Sequence, residues 1–335
     1  MNIEDVQTRA VPFVRSHGVL GDFHAERIPA GGNNRVYRLR TTSGDRVLKV
    51  YFKGPSDSRD RLGAERSFYE LVWRQGVRRT PEPFGWDAEN QLGLFSFIEG
   101  RKLEPGEVSA ETVGQVLDFV IELNRARQEA EAGEMPMASE SCFRIEDHLE
   151  CVQRRVARLR QIEATSAVDS EALDFVQSLL EPAWEKVRAS ISKASREASG
   201  AVLSEKERCL SPSDFGFHNA LLAADGKLRF FDFEYAGWDD PAKLVCDFFC
   251  QPQIPVSKRH WDGFVDKLSS GLSGALVRHR AELLFPAYQI KWCCIMLNEF
   301  SRTDSARRQF AIGTGDERKA AQLERASQAL EAVQV

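Results

Sequence analysis

Short β-rich runs open the chain and long helical periods close it. Segments 23–30 (FHAERIPA), 34–42 (NRVYRLRTT) and 45–52 (DRVLKVYF) are dense in β-branched, aromatic and other apolar residues, which predicts three adjacent strands. They are separated by Gly-Gly-Asn-Asn and Thr-Ser-Gly-Asp, both of which favour turns. In 58–76, Leu62, Phe68, Leu71 and Val72 fall near one helical face and Gly76 supplies a stop, so this segment predicts a helix. GLFSFIEG then predicts a buried strand at 93–98 that leaves a small domain.

After Gly100 the period changes, and helices are expected at roughly 108–131, 145–163 and 168–196. NALLAADGKLRFFDF (219–233) interrupts them as a predicted hairpin turning at Ala-Asp-Gly-Lys, and helices resume from about 241. The expected fold class is α+β. A small antiparallel sheet lobe with one helix (1–99) precedes a large helical lobe (100–335), and polar loops at their junction suit a ligand cleft.

A chain of 335 residues, 42% hydrophobic and 28% charged, can build two lobes with cores. Its net charge of −5, with no block of Lys and Arg among aromatics, argues against nucleic acid as a partner. The first residues carry acids where a secretion signal carries bases, and no apolar run approaches the ~18 residues of a membrane span. The expectation is a cytoplasmic protein with no membrane partner. Seven cysteines, odd in number and mostly within apolar helical patterns, are expected to be reduced thiols, not disulfides or a zinc site.

The candidate chemistry lies in LSPSDFGFHNALL (210–222) and FFDFEYAGWDDP (230–241). Asp214 stands five positions before Asn219, and Asp232 ends a short apolar run. Asp214 alone would read as a turn or cap residue. Asp232 would be costly at the end of a buried strand unless paired or bound to metal. Phosphoryl transfer needs an orienting carboxylate, oxygen ligands for Mg²⁺, a cation on the phosphates and a backbone cover over them. Asp214, the pair Asn219 and Asp232, and Lys49 held by Glu65 are candidates for the first three parts.

These stretches resemble the aminoglycoside phosphotransferase and choline kinase group of protein-kinase-like small-molecule kinases. SDFGFHNALL resembles the catalytic loop and FFDFEYAGWDDP the metal-binding strand. AGGNNRVYRL resembles the nucleotide loop, VLKVY the lysine strand, AERSFYELV the helix that follows and LFSFIEGRKL the hinge. They occur in family order over about residues 28–250. The resemblance implies a bilobal protein-kinase-like fold and a kinase using ATP and Mg²⁺. Asp214 would be catalytic and Asn219 and Asp232 metal ligands. Gly31, Gly32, Asn33, Asn34, Lys49, Glu65 and Phe97 would bind nucleotide, and a small-molecule hydroxyl would accept the phosphoryl group.

Two features depart from the family. Pro212-Ser213 replaces the usual His-Gly before the catalytic aspartate, and the glycine loop holds only Gly31 and Gly32. The resemblance implies an acceptor site in the late helices. Trp238, Asp239, Lys291, Trp292 and Glu299 are candidates, and Glu140 and His148 lie in the same lobe. Aromatics with Glu299 suit an amine, and Lys291 suits an anion. Asp247 reads as structural and His218 as packing or solvent-exposed. Rival readings are a nucleotide-binding pseudokinase that regulates a partner protein, a protein kinase and an adenylyl transferase. The first is motivated by Pro212-Ser213. The second lacks an Ala-Pro-Glu activation segment.

Overall fold

The computed structural model describes residues 3–29, 34–54, 59–126, 135–197, 202–272, 277–301 and 315–333. Two short helices, α1 (Ile3–Arg9) and α2 (Val11–Ser16), precede an antiparallel sheet of β1 (His24–Ile28), β2 (Arg35–Arg40), β3 (Arg46–Val50), β4 (Pro83–Asp87) and β5 (Leu92–Ser96). Its order is β1-β2-β3-β5-β4, and α3 (Arg61–Arg74) lies between β3 and β4 in the chain. The three predicted strands and the helix are present.

Alternation along the strands divides the sheet's faces. Tyr37, Leu39, Leu48, Val50, Leu92 and Leu94 pack with Val6 of α1, Phe13 and Val14 of α2 and Ala10 between them in a small outer core. Lys49, of opposite parity to Leu48 and Val50, is paired across the sheet with Val36 and Gly93. Its ammonium reaches α3. Asp60 caps α3 by accepting from the Gly63 amide at 2.9 Å, and Gly76, at φ +81°, follows its end. Phe68, Tyr69, Leu71 and Val72 of α3, with Phe95 of β5, belong to the large core of the helical lobe. The helix is therefore the hydrophobic joint between the lobes.

The chain leaves the sheet through β6 (Gly100–Arg101) and then forms α4 (Ala110–Ala126), α5 (Ile145–Leu159) and α6 (Ala167–Phe175). One π-turn (Val176–Leu180) leads into α7 (Glu181–Glu197), so the predicted helix 168–196 is nearly continuous. Three short strands follow, β7 (Cys209–Ser211), β8 (Ala220–Ala223) and β9 (Leu228–Phe230), then β10 (Gly237–Asp239). Helices α8 (Pro241–Cys250), α9 (Trp261–Leu272), α10 (Val277–Met296) and α11 (Asp316–Glu331) complete an α+β, two-lobed, protein-kinase-like fold.

Strands β8 and β9 form the predicted hairpin, with Gly226 at φ +74° in its turn. Strand β6 pairs with β8, tying the hinge to that hairpin. Among the described residues no helix is long and apolar enough to cross a membrane. All seven cysteines are free thiols.

Candidate active site

Two strand pairings bring the candidate carboxylates together. Gly237 of β10 lies opposite Ser211 of β7, so the loop leaving β7 with Asp214 runs beside the loop entering β10 with Asp232. Ala220 lies opposite Phe230 in the hairpin, and the ladder continues where the Phe231 amide donates to the Asn219 carbonyl at 3.1 Å. Asn219 and Asp232 are thus neighbours by strand register.

From the opposite lobe, Lys49 Nζ reaches Glu65 Oε2 at 2.6 Å and Asp232 Oδ1 at 2.5 Å. Burial opposes the ammonium charge. Asp232, Glu65 and Glu234 more than reverse this, so Lys49 stays protonated well above the ordinary lysine range. Glu65 also accepts from Tyr51 OH at 2.6 Å and from the Phe233 amide at 2.9 Å. Three donors therefore hold a carboxylate that is almost fully buried.

Each residue of Asp232-Phe233-Glu234 engages the sheet lobe. Asp232 takes Lys49, and the Phe233 ring packs on Phe68 at 4.3 Å between centroids. Glu234 accepts from Asn34 Nδ2 at 2.5 Å. Asn34 Oδ1 in turn receives the Phe52 amide at 3.0 Å, so Asn34 ties the start of β2 to the end of β3 and to Glu234. Gly31, Gly32 and Asn33 lie outside the described residues. The Phe97 ring carries the Arg38 guanidinium at 4.0 Å, and its amide donates to the Asp45 carbonyl at 3.4 Å. Glu70, on the same helix as Glu65, accepts from Arg66 at 2.8 Å.

The loop that carries Asp214 is pinned by Phe215 and Phe217, both buried against Phe248. Between β7 and Asp214, Ser213 takes φ +67°, the left-handed region that favours glycine. Its amide is held by Ser211 Oγ at 3.0 Å. Asn219 Nδ2 donates to the Asp214 carbonyl at 2.9 Å, which leaves Oδ1 without a hydrogen bond among the described residues.

Asp214 Oδ1 lies 3.1 Å from His218 Nε2. Burial opposes ionisation of Asp214, but the adjacent imidazole, and then Lys291 and Lys243 further off, hold its carboxyl below the ordinary range. His218 is only 8% exposed, so it is not a solvent residue. Its four-residue spacing from Asp214 was the available signal. Lys102, absent from the sequence candidates, donates to the His218 carbonyl and lies 4.5 Å from the Phe231 ring centroid.

The structure separates the acceptor candidates. Lys291 Nζ is closed by both Asp247 oxygens at 2.9 and 3.0 Å, and Trp292 Nε1 donates to the same carboxylate at 2.9 Å. Asp239 is fully buried on Lys243 and the Asp240 amide. Glu299 is buried and paired with Arg318 at 2.7 Å. Lys291, Asp239 and Glu299 are therefore each buried in an ion pair. Trp238 and Trp292 keep partly exposed side chains.

His148 is also buried, between Tyr288 OH at 2.7 Å and Asp240 at 3.1 Å. Glu140, one-third exposed at φ +56°, pairs with Arg155 at 2.5 Å.

A protein-kinase-like fold with a buried lysine bridging the lobes beside a carboxylate-rich loop is the frame of a kinase, and the family to which the chain belongs makes it a small-molecule kinase. The chain belongs to the phosphotransferase enzyme family, whose model matches residues 24–272. The choline kinase LicA from Streptococcus pneumoniae is similar in structure, with a TM-score of 0.63, 13% identity and coverage of 98% of this chain and 99% of that one. An ethanolamine kinase from Plasmodium vivax gives 0.58, 12%, 94% and 85%. A spectinomycin phosphotransferase crystallised with ADP and spectinomycin gives 0.60, 12%, 93% and 94%. At these identities the likeness shows the fold. No curated protein sequence matches.

Proposed function

We propose that this phosphotransferase is a cytoplasmic, ATP-dependent small-molecule kinase that moves the γ-phosphoryl group to a hydroxyl of a sugar, polyol or amino alcohol. The observation that carries this reading is the junction of Lys49, Glu65 and Asp232 across the cleft beside Asp214 and Asn219. Structural neighbours described as choline, ethanolamine and spectinomycin kinases, two of them with ADP or AMP, support the acceptor class and a nucleotide site.

In this reading residues 1–99 form the nucleotide lobe and 100–335 the catalytic and acceptor lobe. Lys49, positioned by Glu65, would bind the α- and β-phosphates. The loop through Gly31, Gly32, Asn33 and Asn34 would cover them, and the segment at Phe97 would border the base. Asn219 Oδ1 and the Asp232 carboxylate are hard oxygen donors, the chemistry that suits Mg²⁺. The metal, when bound, supplies positive charge for the transferring group. Asp214 would hold the acceptor hydroxyl and accept its proton. Positioning and electrostatics then do most of the work, with no covalent enzyme intermediate.

The test is transfer of label from γ-labelled ATP with Mg²⁺ to a pooled cytosolic metabolite fraction, with wild type beside Asp214→Asn. Label in a small molecule with wild type alone supports the reading. Equal transfer by both would overturn Asp214's role. Absence of transfer, with ATP binding confirmed, would turn the search to protein partners.

A further inference from the structure

His218 stands where the proposed mechanism has no task for it, yet its ring touches the central carboxylate. Nε2 lies 3.1 Å from Asp214 Oδ1. An ionised carboxylate only accepts, so this nitrogen carries the proton. Nδ1 is buried and has no hydrogen-bond partner among the described residues. The ring therefore presents an Nε2–H donor to Asp214.

The surroundings are shaped for that ring. Gly216 has extended backbone (φ 170°), so no left-handed conformation requires glycine there. A Cβ at that position would stand 2.8 Å from His218 Nδ1 and 3.1 Å from Cε1. Glycine therefore makes room for the imidazole. Phe217 and Asn219, on either side of His218, are fixed by the aromatic core and the Asp214 carbonyl. The Lys102 ammonium holds the His218 carbonyl. No hydrogen bond reaches Asp214 Oδ2 among the described residues, and the side chain is 37% exposed.

We infer that His218 is a positioning residue: its Nε2–H fixes Asp214 through Oδ1 and leaves Oδ2 for the acceptor hydroxyl. The inference rests on the phosphoryl-transfer reading above. Loss of the bond would let the carboxylate rotate and would reach the chemistry through orientation, not nucleotide affinity.

The experiment compares wild type, His218→Ala and His218→Gln in the labelled-ATP transfer assay, with affinity for a non-hydrolysable ATP analogue and thermal midpoints measured alongside. His218→Ala should lower kcat by about 10- to 100-fold while KM for ATP stays within about twofold. His218→Gln places an amide donor near the position of Nε2 and should recover kcat to within about threefold of wild type. Wild-type turnover in His218→Ala overturns the inference and leaves the kinase reading standing. Equal slowness of a stably folded Gln variant also overturns it, because donation would then not be the function of the ring. No transfer by wild type sinks the kinase reading, and this inference with it.

If His218→Ala does not fold, imidazole nitrogen NMR supplies a second test. The Nε2–H resonance of His218 should shift in Asp214→Asn, and an unchanged resonance overturns the contact.

Discussion

Lys49 and Asp232, 183 positions apart, meet in a 2.5 Å ion pair across the cleft, with the carboxylate of Glu65 on the same ammonium. The lysine side chain is 8% exposed and Glu65 only 1%. Removing one partner from such a group leaves a buried charge uncompensated. Lys49→Met should therefore abolish phosphoryl transfer and also lower stability by about 3 kcal/mol. The double variant Lys49→Met/Glu65→Gln should regain part of that stability but no activity. Chemical denaturation of the four members of the cycle measures the coupling, and additive losses would refute it.

Asp232 and Asp214 differ in what contacts them, and so should their variants. Asp232→Asn removes both the partner of Lys49 and a hard oxygen donor, so Mg²⁺-dependent nucleotide affinity should fall by about tenfold or more. Asp214→Asn should keep that affinity within about twofold and lose about 10²- to 10⁴-fold in kcat. Titration calorimetry with an ATP analogue, with Mg²⁺ and then with excess EDTA, separates the two. Equal weakening of nucleotide binding in both variants would reverse the assigned roles.

The Pro212-Ser213 departure has a backbone consequence. Ser213 occupies φ +67°, and a non-glycine residue in that region costs about 1–2 kcal/mol. Glycine removes this strain but frees the unfolded chain, which returns about 0.4–1 kcal/mol. Ser213→Gly should thus be neutral to stabilising by about 1 kcal/mol, with turnover retained. Ser213→Val should destabilise, since a β-branched residue fits this region worst. Thermal midpoints and turnover decide. A marked loss on Ser213→Gly would show that the hydroxyl, not the backbone, is what the loop uses.

The sequence made the main elements legible because their apolar periods match the faces they bury. β3, α3 and the β8–β9 hairpin are clear examples. Strand β4 was hidden because Pro83, Gly85 and Asp87 leave only Phe84 and Trp86 to mark it, and its pairing with β5 is irregular between Pro83 and Gly85. Helices α1 and α2 were not predicted either; Val6, Ala10, Phe13 and Val14 find their partners only once the sheet exists. Asp214, Asn219 and Asp232 stood out because they share one local hairpin unit. The acceptor candidates did not separate in the same way. Lys291 displays a charge in sequence, while the carboxylate that satisfies it, Asp247, lies 44 positions away. His218 was undervalued because one line of sequence does not show that a ring four residues on turns back to Asp214.

Glu140 allows a test by pH. Its carboxyl is held at about 2, below the ordinary 4.5: burial raises it, but Arg155 and then Lys291 outweigh that. A folded-state value below the unfolded one means that the unfolded chain takes up the proton first as pH falls. The stabilisation is therefore present above the unfolded carboxylate range and is lost as pH falls toward about 2. Because the side chain is 34% exposed, solvent screening reduces its size. Glu140→Gln keeps the shape and removes the charge, so it should cost about 1 kcal/mol near neutral pH. The gap in thermal midpoint between wild type and this variant should narrow steadily below about pH 4.5. A gap that is constant with pH would show that the Glu140–Arg155 contact acts by shape and hydrogen bonding alone, without its charge.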